Sequence, residues 1–168
     1  AEAQTAHTKA LELCRQLGNR DDESRAIFNL GLVDLALGSY AGAQSRFEEA
    51  LAIARQIGDQ RYESEILAYL GSLFRQLGKQ QLAHTSCQQA LQVAQRMDQR
   101  LYQALAWNQL GHVLLQLAQP SDALEAYRQG LALYEALHQD IRALEPRAGM
   151  ARVLLANQDV AQAQAQVE

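Results

Sequence analysis

The sequence is short of everything that interrupts or cross-links a chain. It holds two prolines in 168 residues, so little in it breaks a helix. Its two cysteines, Cys14 and Cys87, lie far apart and form no CxxC, which argues against a disulfide framework or a zinc site. That usage fits a reducing, cytoplasmic setting. Val, Ile, Thr, Phe and Tyr are sparse, which leaves little to build a sheet. No run of eighteen apolar residues is present, so no membrane span is expected. The chain begins AEAQTAHTKA, without the basic start and apolar stretch of a signal peptide. It has no initial methionine, and the expectation is a piece of something longer. An excess of basic charge is also missing: 15 Lys and Arg against 19 Asp and Glu leave a net charge of −4. Nucleic-acid binding, which needs a basic face, is therefore not expected.

Ala, Leu, Gln, Glu and Arg dominate instead, all good helix formers. The hydrophobic fraction of 48% is enough for a sizeable core. The stretch "NLGLVDLALGSYAGA" (29–43) returns as "YLGSLFRQLGKQQLA" (69–83) and again as "QLGHVLLQLAQPSDA" (109–123). The period is 40 residues and needs no gaps. Leu30-Gly31, Leu70-Gly71 and Leu110-Gly111 keep it, as do Ala43, Ala83 and Ala123, with Ala163 continuing the row. Ala50-Leu51, Ala90-Leu91 and Gly130-Leu131 form another row, which Ala10-Leu11 begins. Phe47, Cys87 and Tyr127 share one place, onto which His7 also falls. Internal self-similarity of this kind marks a stacked array.

Each period reads as two helices. Over 22–37, apolar residues recur at helical spacing: Ala26, Ile27, Leu30, Val33, Leu37. Gly38 stands where a left-handed residue ends a helix. A second pattern runs over Tyr40–Ile57 and closes at Gly58, with Asp59 placed to cap the next helix. Gly78 repeats the first stop, and Pro120 opens a helix at a place where its missing N–H costs nothing. Gly31, Gly71 and Gly111 fall inside helices, where glycine costs about 1 kcal/mol against alanine. Close approach of the paired helix, with the alanine rows on its facing side, would offset that cost. Complete pairs are expected at 22–57, 62–97 and 102–137. A lone second helix is expected over about 1–20, and a truncated repeat over 142–168. Glu145-Pro146 departs from the other copies and is expected to bend or shorten its helix. Both ends expose faces through which copies could self-associate, because an array normally ends in polar caps.

These residues resemble the tetratricopeptide repeat. Trp107, Leu110, Gly111, Ala123 and Tyr127 carry the likeness in the third copy. Leu67, Leu70, Gly71, Phe74, Ala83 and Ala90 carry it in the second, and Ile27, Leu30, Gly31, Ala43, Phe47 and Ala50 in the first. The 40-residue period resembles the subgroup found in spindle-orientation adaptors and in bacterial signalling and regulatory proteins. The resemblance implies an all-α fold, a right-handed α-solenoid of antiparallel helix pairs.

No catalytic constellation is visible. His7, His84, His112 and His138 fall at unrelated places, and no glycine-rich phosphate loop exists. Glu48-Glu49 and Glu63/Glu65 read as solvated helix faces. Cys87 and Trp107 take core positions. No cofactor or metal is expected, and the chain is not expected to be an enzyme. The stronger candidate is the concave face lined by the first helices. Residues there should recur by 40: Arg25, Glu65 and Leu105; Phe28, Ala68 and Asn108; Asn29, Tyr69 and Gln109; Leu32, Ser72 and His112; Leu35, Arg75 and Leu115. Amides, a tyrosine, arginines and apolar places together suit a peptide or protein segment. "RAIFNLG" (25–31) resembles the spindle-adaptor phrase whose arginine and asparagine face the peptide, which implies that role for Arg25 and Asn29. The alternative is a sensor or regulatory arm of a larger bacterial signalling ATPase or transcription regulator.

Overall fold

A computed structural model describes residues 2–156 and residue 165. Among them are eight helices: α1 (Glu2–Leu17), α2 (Arg20–Ala36), α3 (Tyr40–Ile57), α4 (Gln60–Gln76), α5 (Gln80–Arg96), α6 (Arg100–Gln116), α7 (Pro120–Ala136) and α8 (Asp140–Ala156). The expected helix after about Val160 lies outside the described residues. Each helix packs antiparallel on the next, and the whole is an all-α solenoid.

Two local devices set the helix ends. Asn19 and Asp59 cap α2 and α4, their side chains accepting from the backbone N–H of Asp22 and Tyr62 at 3.2 and 3.1 Å. Asn19 moves the start of α2 two residues ahead of the sequence reading, because the Asn-Arg-Asp-Asp run caps earlier than the apolar pattern begins. The chain turns through a left-handed residue every twenty positions. Glycine fills this place at 18, 38, 58 and 78; Asp98, Ala118 and His138 fill it later, at φ 51°, 56° and 54°. α8 runs unshortened through Pro146, contrary to expectation. The proline ring is fully buried there, so packing offsets the backbone bond it cannot make.

The core is continuous along the array. Ile27, Phe47, Ile66, Leu73, Val113, Tyr127 and Val153 are fully buried. The mid-helix glycines face the second helix of their own pair, as expected, but the nearest groups are not the alanines. A Cβ on Gly31 would lie 2.6 Å from the Phe47 ring, one on Gly71 would meet Cys87 Sγ, and one on Gly111 would lie 2.7 Å from the Tyr127 ring. Ala43, Ala83, Ala123, Ala50 and Ala90 are wholly buried around that contact. Ser24 and Ser64, forty residues apart, donate to the carbonyls of Ala50 and Ala90 at 3.0 and 2.9 Å. The third copy has Ala104 and Gly130 instead, and there the chains come close enough that a Cβ at 130 would sit 3.2 Å from the Ala104 carbonyl.

At the ends the faces are open. Leu144 is 61% exposed where its counterparts Ser24 and Ser64 are 1% exposed, and Ile141, Leu13 and Leu17 are exposed as well.

Two substitutions test this packing. Tyr127 is held between Gly111 and Gly149, whose Cβ atoms would lie 2.7 and 2.5 Å from its ring, so the ring has nowhere to move. Gly111→Ala is expected to destabilise by about 1–3 kcal/mol despite alanine's better helix propensity; an unchanged or higher Tm would refute the clamp. Ala118 is exposed and left-handed, so Ala118→Gly is expected to stabilise by up to about 1 kcal/mol. Thermal unfolding followed by circular dichroism reads this as a rise of roughly 2–4 °C.

Candidate functional site

Among the first helices, α4 packs on α6 and α6 on α8, and Phe28 of α2 reaches the rings of Tyr62 and Tyr69 on α4, whereas α3, α5 and α7 make no comparable mutual contact. The first helices therefore form the tighter, inner side of the curve. The side chains they present alternate between the interface and the open groove, and burial separates the two.

Phe28 and Asn108 are not on the groove surface, and Ala68 reaches it only as part of a cavity wall. They are 3%, 0% and 1% exposed, wedged between neighbouring first helices. The spacing of three residues beyond 25, 65 and 105 turns this row into the helix–helix contact. Phe28 meets the rings of Phe47, Tyr62 and Tyr69 at centroid distances of 5.3, 5.3 and 5.2 Å. The Asn108 amide is buried without a well-formed hydrogen bond, and it has a polar neighbour in the Glu145 carboxylate, whose ionised form it favours.

Three rows do reach the groove. Arg25 is exposed; it pairs with Asp21 at 3.2 Å, approaches Asp59 at 4.0 Å and lies 5.8 Å over the Tyr62 ring. It shares a cavity of about 160 Å³ with Glu65, Tyr62, Tyr102, Asp59 and Arg61. Asn29 lines a separate hollow against α1, beside His7 and Cys14. Tyr69 and Gln109 converge with Leu105, Tyr134, Arg142 and Glu145 on a cavity of about 320 Å³. Asn29, Tyr69 and Gln109 are half-buried and make no side-chain hydrogen bond within the chain. Leu32, Leu35 and Leu115 are half-buried against the core. Ser72 and Arg75 are half-buried, and Arg75 Nε has no acceptor.

His112 is the most connected groove residue. Its Nδ1 lies 2.7 Å from the Tyr127 hydroxyl and 3.2 Å from an Arg152 guanidinium nitrogen. A guanidinium can only donate, so Nδ1 is the unprotonated acceptor. Nε2 then carries the proton and donates to Glu145 Oε1 at 3.1 Å. That bond, helped by the charge the ring can carry, holds the Glu145 carboxyl below its usual range against the opposing effect of burial. Glu65 behaves oppositely. It has no ion pair, and burial raises its carboxyl above the usual range, with Arg142 only partly opposing.

Sequence reasoning missed five groove residues: Tyr62, Tyr102, Arg142, Glu145 and Arg152. The signal was the period itself. Tyr62, Tyr102 and Arg142 form a row one turn ahead of Arg25; Glu145 and Arg152 are the fourth members of the Arg25 and Leu32 rows. Of the carboxylates expected on solvated faces, Glu48 and Glu49 are exposed, and Glu49 pairs with Arg15 at 2.9 Å. Glu63 and Glu65 depart from that expectation: Glu63 is half-buried and pairs with Arg55 at 2.8 Å, and Glu65 lines the groove cavity beside Arg25. Among the described residues no cluster of His, Cys, Asp and Glu could hold a metal ion, and no helix is long and apolar enough to cross a membrane.

Comparison with known proteins agrees with this geometry. The tetratricopeptide repeat model matches at residues 1–56, 22–96 and 62–136, and the chain belongs to that family. Repeats of this family are generally protein–protein interaction modules, typically non-enzymatic scaffolds. No curated protein sequence matches the chain. Among solved structures it is similar to BtubC (BKLC) from P. vanneervenii, with a TM-score of 0.83 at 20% identity over 98% of this chain and 69% of that one. It is also similar to the nearly identical TPR-like repeats of a putative kinesin light chain from Podosopora anserina. There the TM-score is 0.73 at 16% identity, over 99% of this chain and 82% of that one. A signal transduction ATPase with a tetratricopeptide repeat sensor, from Pyrococcus horikoshii, aligns with a TM-score of 0.68 at 16% identity. This alignment covers 97% of this chain and 28% of the ATPase. At these identities the likeness is one of fold.

The tyrosines give a test of groove and core burial together. Burial pushes Tyr127 and Tyr134 up to about 12, and raises Tyr62, Tyr69 and Tyr102 above the usual phenol value of 10. A raised folded value stabilises below the unfolded value and is lost as pH rises through the folded one. Stability is therefore expected to hold up to about pH 10 and to fall between pH 10 and 12. Absorbance at 295 nm should show phenolate appearing together with unfolding. Ionisation of most tyrosines near pH 10 in a still-folded chain would contradict the burial described.

Proposed function

We propose that the concave face binds an extended or helical segment of a protein partner. The observation that supports it best is the row Asn29, Tyr69 and Gln109. Three successive first helices each offer one half-buried polar group with no hydrogen-bond partner in the chain. A peptide backbone supplies both the donors and the acceptors that such amides and hydroxyls can bond. The Tyr69–Gln109 cavity of about 320 Å³ has room for a side chain of that segment. The mild net charge of −4 favours a protein partner over nucleic acid.

A second reading has one observation in its favour. The likeness to the Pyrococcus horikoshii ATPase, which carries a tetratricopeptide repeat sensor, extends over 97% of this chain and 28% of that one. On that reading the array is the sensing arm of a larger signalling protein, and the groove holds the ligand or the arm's own regulatory segment. Both readings use the same surface.

The test is a peptide-array screen of random twelve-residue segments against the chain and against Tyr69→Phe/Gln109→Ala. Phenylalanine keeps the ring that packs on Phe28 and Phe47, and Gln109 is half-buried, so the variant is expected to fold. Binders selected on the parent chain should lose roughly tenfold or more in affinity on the variant, the effect of removing two uncompensated hydrogen-bonding groups. Equal binding by the two would place the site elsewhere.

A further inference from the structure

One point on the groove floor gathers more cationic groups than its own chain neutralises. The Tyr127 hydroxyl is buried there, His112 of α6 and Arg152 and Glu145 of α8 meet beside it, and Arg75 of α4 is close enough for its charge to act on the phenol. His112 Nδ1 lies 2.7 Å from the hydroxyl, and Arg152 lies 3.2 Å from the same nitrogen. Arg152 and Arg75 both act on the phenol proton, favouring its loss, while Glu145 opposes it and burial outweighs them all. Two guanidiniums therefore face one carboxylate. That carboxylate is already engaged, since Glu145 accepts from the far side of the imidazole, at Nε2.

The acceptors available to the cations are poor. Arg152 is exposed, and its nearest partner is a neutral ring nitrogen that also accepts from a phenol. Arg75 Nε is buried with no acceptor at all. A buried charged donor without a partner is costly, and the group that removes the cost carries anionic oxygens. Ser72 occupies the same row as His112 and Arg152, forty residues ahead of His112, half-buried and without a side-chain hydrogen bond, and it adds a neutral donor.

We propose that Ser72, Arg75, His112 and Arg152 form a subsite for an anionic side chain of the bound segment, a carboxylate or a phosphate. It rests on the groove reading above and adds the charge of one anchor. On binding, an anionic oxygen replaces His112 Nδ1 as the acceptor for Arg152, within the field of the Arg75 guanidinium, while the Nε2–Glu145 bond keeps the ring in place. The groups facing His112 are Tyr127 from α7 and Glu145 and Arg152 from α8. The attraction is between charges near the surface, so anion affinity drops with added salt.

The experiment uses four probes on the folded chain: acetyl-Gly-Glu-Gly-amide, its phosphoserine and glutamine counterparts, and inorganic phosphate. Binding is followed by NMR at the His112 ring and the arginine Nε–H signals. The glutamate and phosphoserine peptides are expected to bind roughly tenfold or more tightly than the glutamine peptide. Arg75→Gln/Arg152→Gln should abolish that preference. Arg152 is exposed, so Arg152→Gln alone leaves the fold intact and should reduce the preference severalfold. A phosphoserine peptide that outcompetes the glutamate one by a further tenfold identifies the source as a phosphorylated segment; equal binding identifies acidic side chains. Inorganic phosphate binding with no peptide binding upholds the subsite and sinks the groove reading. Equal affinity for the glutamine peptide, or an undiminished preference in Arg152→Gln, overturns the subsite and leaves the groove reading to its own test.

Discussion

Everything in this molecule depends on how closely two helices of a pair can approach at one position. Gly31, Gly71 and Gly111 give up side chains there, and Phe47, Cys87 and Tyr127 fill the space. Glycine inside a helix is unfavourable by about 1 kcal/mol, so the contact must return more than that. Burying an aromatic ring returns about 1.5–3 kcal/mol, and the ring at Tyr127 is wholly buried. Cys87 shows that the position requires an apolar group of limited size rather than an aromatic one. It is buried, and burial pushes its thiol up to about 12, where it behaves as a small hydrophobe.

The close approach has a second effect, on the polar groups. Ser24 and Ser64 can reach carbonyls of the opposite helix only because the backbones lie near each other. In the third pair the hydroxyl is gone, but so is the partner's Cβ at Gly130, where an added Cβ would lie 3.2 Å from the Ala104 carbonyl. The two solutions are interchangeable because either leaves no empty space at the seam.

The groove follows from the same geometry. With the first helices packed side by side, a shift of three residues along a helix takes a side chain from the open face to the seam. Phe28 and Asn108 are sealed in while Arg25, Tyr69 and Gln109 stay open. Where α6, α7 and α8 meet, a buried phenol, an imidazole and groups of both charges share one hydrogen-bonded cluster. In such a cluster the hydrogen bonds polarise and strengthen one another.

The repeat, the helix pairs and the glycine seam were legible in the residues, because a period of 40 without gaps leaves one stacking solution. Asp59 and Pro120 announced their helix starts by local chemistry alone. Asn19 was less legible, since its cap competes with an apolar pattern that begins later. Which member of each groove row faces outward was not legible, because helical spacing places Phe28 near Arg25 and only the neighbouring helix decides that one is covered. The partners of His112 were further out of reach. Tyr127, Glu145 and Arg152 lie 15, 33 and 40 residues away, and no local rule brings them together. Sequence by itself determined the elements and their order, since propensity, caps and periodicity act over a few residues. Only the tertiary structure decided burial and charge partnership, which depend on distances between helices that the chain separates.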